Sequence, residues 1–142
     1  MTSALPDTSF LSHALLPSQQ TPESTAALRQ ALDDGDELVA TATVVIEFFS
    51  LLRKLSNRGV LSVTESDAIR QRVTATIARF VAVTEHDVHA GYRLASRLRQ
   101  SDTFDATGYV VASRSGMQFW VSDRRFANAA SAEGLDGVRF LP

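Results

Sequence analysis

Cysteine is missing altogether from the 142 residues. That excludes disulfides, thiolate zinc sites and a cysteine nucleophile together, and it suits a reducing compartment. A charge excess of either sign is missing too: 14 Lys and Arg stand against 16 Asp and Glu, a net charge of −2. Neither a basic nucleic-acid coat nor an acidic tail follows from that balance, although local arginines could still serve a nucleic-acid substrate. The start, MTSALPDTSF, lacks the basic opening and long apolar core of a signal peptide. No run approaches the roughly 18 apolar residues of a membrane span. A cytoplasmic protein with no membrane association is expected. Glycine-rich phosphate loops and the G-x-S-x-G nucleophile elbow are absent as well.

What is present is a 44% hydrophobic chain long enough for one core, so residues 1–142 are read as a single domain. LPSQQTPEST (16–25) reads as a loop entering a helix, with Thr21 as N-cap, Pro22 as first residue and Gly35 as the stop. Further helices are expected over 43–59, 64–80, 84–100, about 103–115 and 123–131. Thr64 with Asp67, and Thr84 with Asp87, read as capping pairs. Short apolar strands are expected at ELVAT (37–41), FVAV (80–83), QFWV (118–121) and GVRFL (137–141), with SALP before Asp7 as a short apolar start. Short strands alternating with longer helices predict an α/β fold with a mostly parallel sheet covered on both faces.

In such a sheet, ligands bind outside the carboxyl ends of the strands. Asp7 follows SALP, Asp123 follows QFWVS, and Asp105 opens a helix next to QFWV, so all three fall on that edge. Glu47 lies inside the apolar run VVIEFF, sharing a helical face with Val44, Leu51 and Lys54. An ionised carboxylate there costs several kcal/mol unless it is paired or binds a cation. Each acid also has an ordinary explanation. Asp7 could be a turn residue, Asp123 and Asp105 helix caps, and Glu47 a partner of Lys54 or an arginine. Together, though, clustered carboxylates repel unless neutralised, and Mg²⁺ or Mn²⁺ does that through oxygen ligands. The chemistry such a site supports is metal-assisted phosphodiester hydrolysis.

Other candidates are weaker. His86 and His89 are spaced i, i+3 but have no third ligand nearby, and they read as surface histidines, as does His13 in a loop. Arg93, Arg97 and Arg99 lie on one helix and read as a solvated face. Arg124 and Arg125 flank the fourth acid, where a scissile phosphate needs positive charge, and are the candidates for RNA contact. FFSLLRKL and IRQRVTATIARF offer more apolar positions than a sheet face needs, so the groove between them could take a partner's amphipathic helix. PDTS lacks the second aspartate that an aspartyl-phosphate chemistry needs two residues on, because Ser9 stands there.

DTSFL, VVIEFFSLLRKL, FDATGYVVAS and FWVSDRRF occur in the order and spacing of a PIN-domain ribonuclease. Over essentially its whole length the chain resembles the VapC toxins of VapBC toxin–antitoxin modules. The resemblance assigns the four family acids to Asp7, Glu47, Asp105 and Asp123, with Ser9 as a supporting polar residue. Two positions depart from the pattern. Only SALP precedes Asp7, and Val121 stands where the family often has Ser or Thr, with Ser122 pointing the other way along the strand. The resemblance implies a PIN-like three-layer sandwich with about five strands, and Mg²⁺ (or Mn²⁺) as cofactor. It also implies an RNA substrate, a homodimer and a cognate VapB-like antitoxin. On this reading Asp105 both accepts backbone N–H bonds at its helix start and faces the metal. The alternatives are a PIN nuclease of RNA or DNA metabolism without an antitoxin, and a non-catalytic protein-binding module.

Overall fold

The computed structural model describes residues 2–142, so Met1 of the expected domain lies outside the described residues. The elements run β1 (Ser3–Pro6), α1 (Thr8–Leu15), α2 (Pro22–Asp33), β2 (Glu37–Ala40), α3 (Ala42–Asn57), α4 (Val63–Thr76) and β3 (Ile77–Phe80). The second half continues with α5 (Glu85–Leu98), α6 (Phe104–Arg114), β4 (Gln118–Val121), α7 (Arg124–Ala132) and β5 (Val138–Phe140). All strand pairs are parallel, in the order β3-β2-β1-β4-β5. The expected α/β architecture with a five-stranded central sheet is therefore present.

Strand alternation builds two cores, one on each face. Ala4, Leu38 and Trp120 point into a core with α1 to α4, centred on Phe10, Leu11, Phe48 and Leu52. Their neighbours Leu5, Val39, Phe119 and Val121 point the other way, against Leu94, Val111 and Phe126 of α5 to α7. Edge-to-face aromatic pairs tie both faces to β4, Phe10 to Trp120 at 5.3 Å and Phe119 to Phe126 at 5.6 Å. Burial on both faces explains why the strands read as apolar runs rather than as alternating patterns.

Four expectations need correction. TSFLSHAL is a helix, α1, not a loop, so His13 is helical. Asp7 is its N-cap and not a turn residue. The fourth helix ends at Thr76, and the strand is Ile77–Phe80, three residues before the expected FVAV. Its capping box is Ser62 with Glu65, not Thr64 with Asp67; Asp67 instead meets Arg70 at 2.9 Å. The pair Thr84–Asp87 does form the expected box.

The sheet order reverses direction at β1: β2 and β3 lie to one side of it, β4 and β5 to the other. That reversal opens a crevice at the carboxyl ends of β1 and β4. Pro6, the last residue of β1, sits after the last β1–β2 partner pair, Ala4 with Leu38, where its missing N–H costs least.

Candidate active site

Asp7 leaves β1 directly into this crevice. Its backbone N–H bonds to Trp120 O on β4 at 3.0 Å, which fixes it at the switch point. The buried carboxylate accepts the Phe10 N–H at 2.8 Å, and the Ser9 hydroxyl lies 2.7 and 2.8 Å from its two oxygens. Ser9 Oγ in turn accepts the Ser122 N–H at 2.9 Å. A chain of bonds thus runs from the end of β4 through Ser9 to Asp7. It explains the departure at Val121. Ser122 serves through its backbone, while its own hydroxyl meets Ser24 Oγ at 3.3 Å.

Asp123 caps α7, accepting the N–H groups of Arg125 at 2.9 Å and Phe126 at 3.2 Å. The cap leaves its second oxygen, Oδ2, without a backbone bond. Asp105 stands in the first turn of α6. The expected backbone bonds to its side chain do not form. Asp102 takes that role instead, its Oδ1 accepting the Phe104 N–H at 3.1 Å. Thr103, the N-cap, makes no side-chain cap bond, and Asp105 is left to face the neighbouring acids.

Glu47 lies one and a half turns into α3, half-buried, at the carboxyl end of β2. Among the described residues it enters no salt bridge, so the expected pairing with Lys54 or an arginine does not occur. The Thr8 hydroxyl is buried with no well-formed hydrogen bond. It nevertheless lies close enough to Glu47 to favour that carboxylate's charged form.

Electrostatics link these side chains. Burial, then repulsion from Asp105, pushes the Asp7 carboxyl up to about 8, against the hydrogen bonds from Phe10 and Ser9; Asp123 adds to the rise. Burial and the charges of Asp123, Asp102 and Glu47 push Asp105 up to about 7, opposed by a hydrogen bond with Asp7. Burial, with Asp102 beside it, also raises Glu47. Asp102 is therefore part of the acidic cluster. The D-x-x-D spacing carried the signal.

The donor set is all oxygen, strongly anionic and short of positive partners, which fits a hard divalent cation in type and charge. Among the described residues, no three Asp, Glu or His side chains already converge closely enough to ligate one ion. The acids form an open, mutually repelling cup. Any bound cation must draw them inward.

Of the remaining candidates, Arg124 and Arg125 are exposed at the start of α7, next to Asp123. Arg124 lies over the Phe140 ring at 4.9 Å. His86 and His89 sit on α5 away from the acids, His89 meeting Glu85 at 3.6 Å on the surface. Arg93 and Arg97 are exposed on α5, while Arg99 ends it in a left-handed conformation, φ 55°. One residue missed from the sequence is Arg114. Its guanidinium holds the fully buried Asp87 through bonds of 2.7 and 2.8 Å and reaches Ala82 O at 2.7 Å. This pair locks α6, and with it Asp105, onto α5.

Comparison with known proteins follows the same outline. A family model described as PIN domain matches residues 4–132. The fold superposes on PAE2754 from Pyrobaculum aerophilum with a TM-score of 0.71 at 16% identity, covering 98% of this chain and 89% of that one. For Mycobacterium tuberculosis VapC20, described as a sarcin-ricin loop cleaving toxin, the TM-score is 0.63 at 24% identity, covering 96% and 98%. For FitAB bound to an IR36 DNA fragment the TM-score is 0.68 at 17% identity, covering 96% and 94%. At these identities the likeness is one of fold. No curated protein matches the chain by sequence.

Proposed function

The chain belongs to the PIN domain family, and from that premise we propose that it is a divalent-metal-dependent endoribonuclease acting as the toxin of a toxin–antitoxin pair. One observation carries this reading. Asp7, Glu47, Asp105 and Asp123 come from four separate segments, yet burial together with the neighbouring acids raises the Asp7 carboxyl to about 8 and that of Asp105 to about 7. A fold with no use for that charge would not concentrate it at its one topological crevice.

In this proposal the four acids hold one or two Mg²⁺ or Mn²⁺ ions. Such an ion, when bound, lowers the pKa of a water and offsets charge on a phosphoryl oxygen. The rest of the work falls to the chain itself. Ser9 and the Phe10 N–H fix the rotamer of Asp7, so one ligand is set before the ion arrives. The α7 N–H groups do the same for Asp123. Asp105, free of backbone bonds, and Glu47 are the ligands able to move inward. Arg124 and Arg125 offer positive charge to the RNA phosphates beside the scissile bond.

A cognate VapB-like antitoxin and a homodimer complete the proposal. Supporting the antitoxin is a hollow of about 400 Å³ between α3 and α4, floored by Phe49, Leu52 and Val63 and rimmed by Arg53, Asp67 and Arg70. Its apolar floor and charged rim suit an amphipathic helix. VapC20, of the same fold, is itself described as a sarcin-ricin loop cleaving toxin. Among the described residues no helix is long and apolar enough to cross a membrane.

The test uses the antitoxin-free protein and its Glu47→Gln variant. Saturable Mn²⁺ binding by calorimetry and Mn²⁺-dependent cleavage of total RNA are expected for the wild type, with both weakened in the variant. Absence of Mn²⁺ binding and of cleavage in correctly folded wild-type protein would overturn the proposal.

A further inference from the structure

Glu47 borders two hollows, and the Phe104 ring is the wall between them. The smaller, about 170 Å³, lies among Val44, Val83, Val88 and the threonines 43, 103 and 107. The larger, about 390 Å³, opens toward Ser50 and Lys54. Phe104 is 52% exposed and belongs to neither hydrophobic core. A lone exposed ring needs no explanation on most surfaces. This one is held by the first turn of the helix that carries Asp105, with an apolar slot on one side and a cation on the other.

Stacking surface, slot and cation together are the parts of a single-strand reader. Exposed aromatic rings stack bases whatever their identity, and a nearby lysine takes the backbone phosphate. At about 170 Å³ the slot has room for one flat heteroaromatic ring and not for a helix. Hydroxyls on Thr43, Thr103 and Thr107 can donate to or accept from a base edge. We propose that the smaller hollow is a base-binding subsite. An unpaired nucleobase next to the scissile bond enters it and stacks on Phe104, while the adjoining phosphate lies toward Lys54. This rests on the ribonuclease reading and adds to it the place on this chain where the base beside the cut is held. A base inside a duplex stack cannot reach the slot.

The test walks 2-aminopurine along a short single-stranded RNA in Ca²⁺ and reads its fluorescence on adding the protein. Parallel assays in Mn²⁺ follow cleavage of the same RNA, intact or abasic at each position. At one position, quenching of 2-aminopurine is expected, and an abasic site there slows wild-type cleavage roughly tenfold. Phe104→Ala removes the quenching and slows cleavage of intact RNA by a similar factor, but leaves abasic RNA no slower than with wild type. Phe104→Trp restores both signals, and Phe80→Ala, an equally exposed ring elsewhere, changes neither. Quenching without cleavage would sink the nuclease reading and leave the subsite standing. Cleavage with no quenching and no abasic effect overturns the subsite alone. Loss of dimer in Phe104→Ala, with cleavage per active site unchanged, also overturns it and assigns the ring to an interface. Neither binding nor cleavage by wild type overturns both.

Discussion

The cost of holding acids together is paid in protons as long as no cation is present. An unfolded aspartate ionises near 3.8, whereas Asp7 in the fold waits until about 8 and Asp105 until about 7. Between those values the folded chain binds more protons than the unfolded one, so its stability falls as pH rises from about 4 through 8. In chelator, the melting temperature is expected to decline from pH 5 to pH 8.5, and Mn²⁺ should restore it most at the alkaline end. A melting temperature that climbs across this range would contradict the clustering. Asp105→Asn separates charge from capping, because Asp105 accepts no backbone bond and loses none. That variant should match or exceed wild-type stability at pH 8 without metal, and should flatten the pH slope. Its RNA cleavage should fall by at least about 100-fold, past the ~10–100-fold usual for an outer partner of a metal ligand. Ser9→Ala is such an outer partner. It frees one side of Asp7 and strands the Ser122 N–H, so Mn²⁺ affinity should drop about 10–100-fold with cleavage still measurable. Asp102→Asn is no neutral control, since Asp102 raises both Asp105 and Glu47.

Elements carry these residues to the edge, and the α5–α6 pair does so under tight tolerances. A Cβ at Gly91 would lie 2.8 Å from Thr107 Cα, so the two helices touch backbone to backbone there. Gly91→Ala must push α6 outward, at a cost of about 1–3 kcal/mol, and displace Asp105 and Phe104 with it. Thermal melts and cleavage rates should both register the change. Arg114→Ala leaves Asp87 buried and unpaired, and about 3 kcal/mol of stability should be lost, at the low end for a buried pair because Arg114 itself is 39% exposed. The Arg114 guanidinium holds Asp87 far below the usual carboxylate range, so acidification to pH 4 should not undo the pair. These element-level features were unevenly legible. Helix α5 announced itself through Thr84 and Asp87, whose capping box is purely local chemistry. Helix α1 did not, because eight residues with Ser, His and a preceding proline read as turn, and only packing of Phe10 and Leu11 into the core makes them helical. The β3 boundary slipped for the same reason. Ile77–Phe80 is an edge strand with three exposed residues, so no apolar run marked it, and register with β2 decided it instead. Asp7 and Asp123 were legible because each follows a strand, Asp105 because it opens a helix and Glu47 because it interrupts an apolar run; the Arg114–Asp87 bridge spans 27 residues and left no local trace.

For the molecule as a whole, the decisive property is what free protein does inside a cell. Under the proposed function the chain is a nuclease with an acid-lined crevice and two exposed arginines beside it, and among the described residues no segment covers the site. Its activity must then be limited by a partner, and the α3–α4 hollow, with its apolar floor and the Arg53, Asp67 and Arg70 rim, is where such a partner would grip. Induced expression in a bacterial host is therefore expected to arrest growth and deplete intact RNA. Asp7→Asn keeps the N-cap of α1, since asparagine caps about as well as aspartate. It removes a carboxylate oxygen that would hold a cation in the crevice, so it should abolish the arrest at equal soluble yield. Val63→Asp should leave the arrest intact but block rescue by a co-expressed cognate antitoxin, because this exposed residue does not border the acids. Growth unaffected by wild-type protein at verified soluble levels would remove the toxin role while leaving metal binding and cleavage to be judged on their own. Rescue that persists in Val63→Asp would move the antitoxin contact off the α3–α4 hollow. An arrest that survives Asp7→Asn would mean that toxicity does not come from the acidic crevice at all.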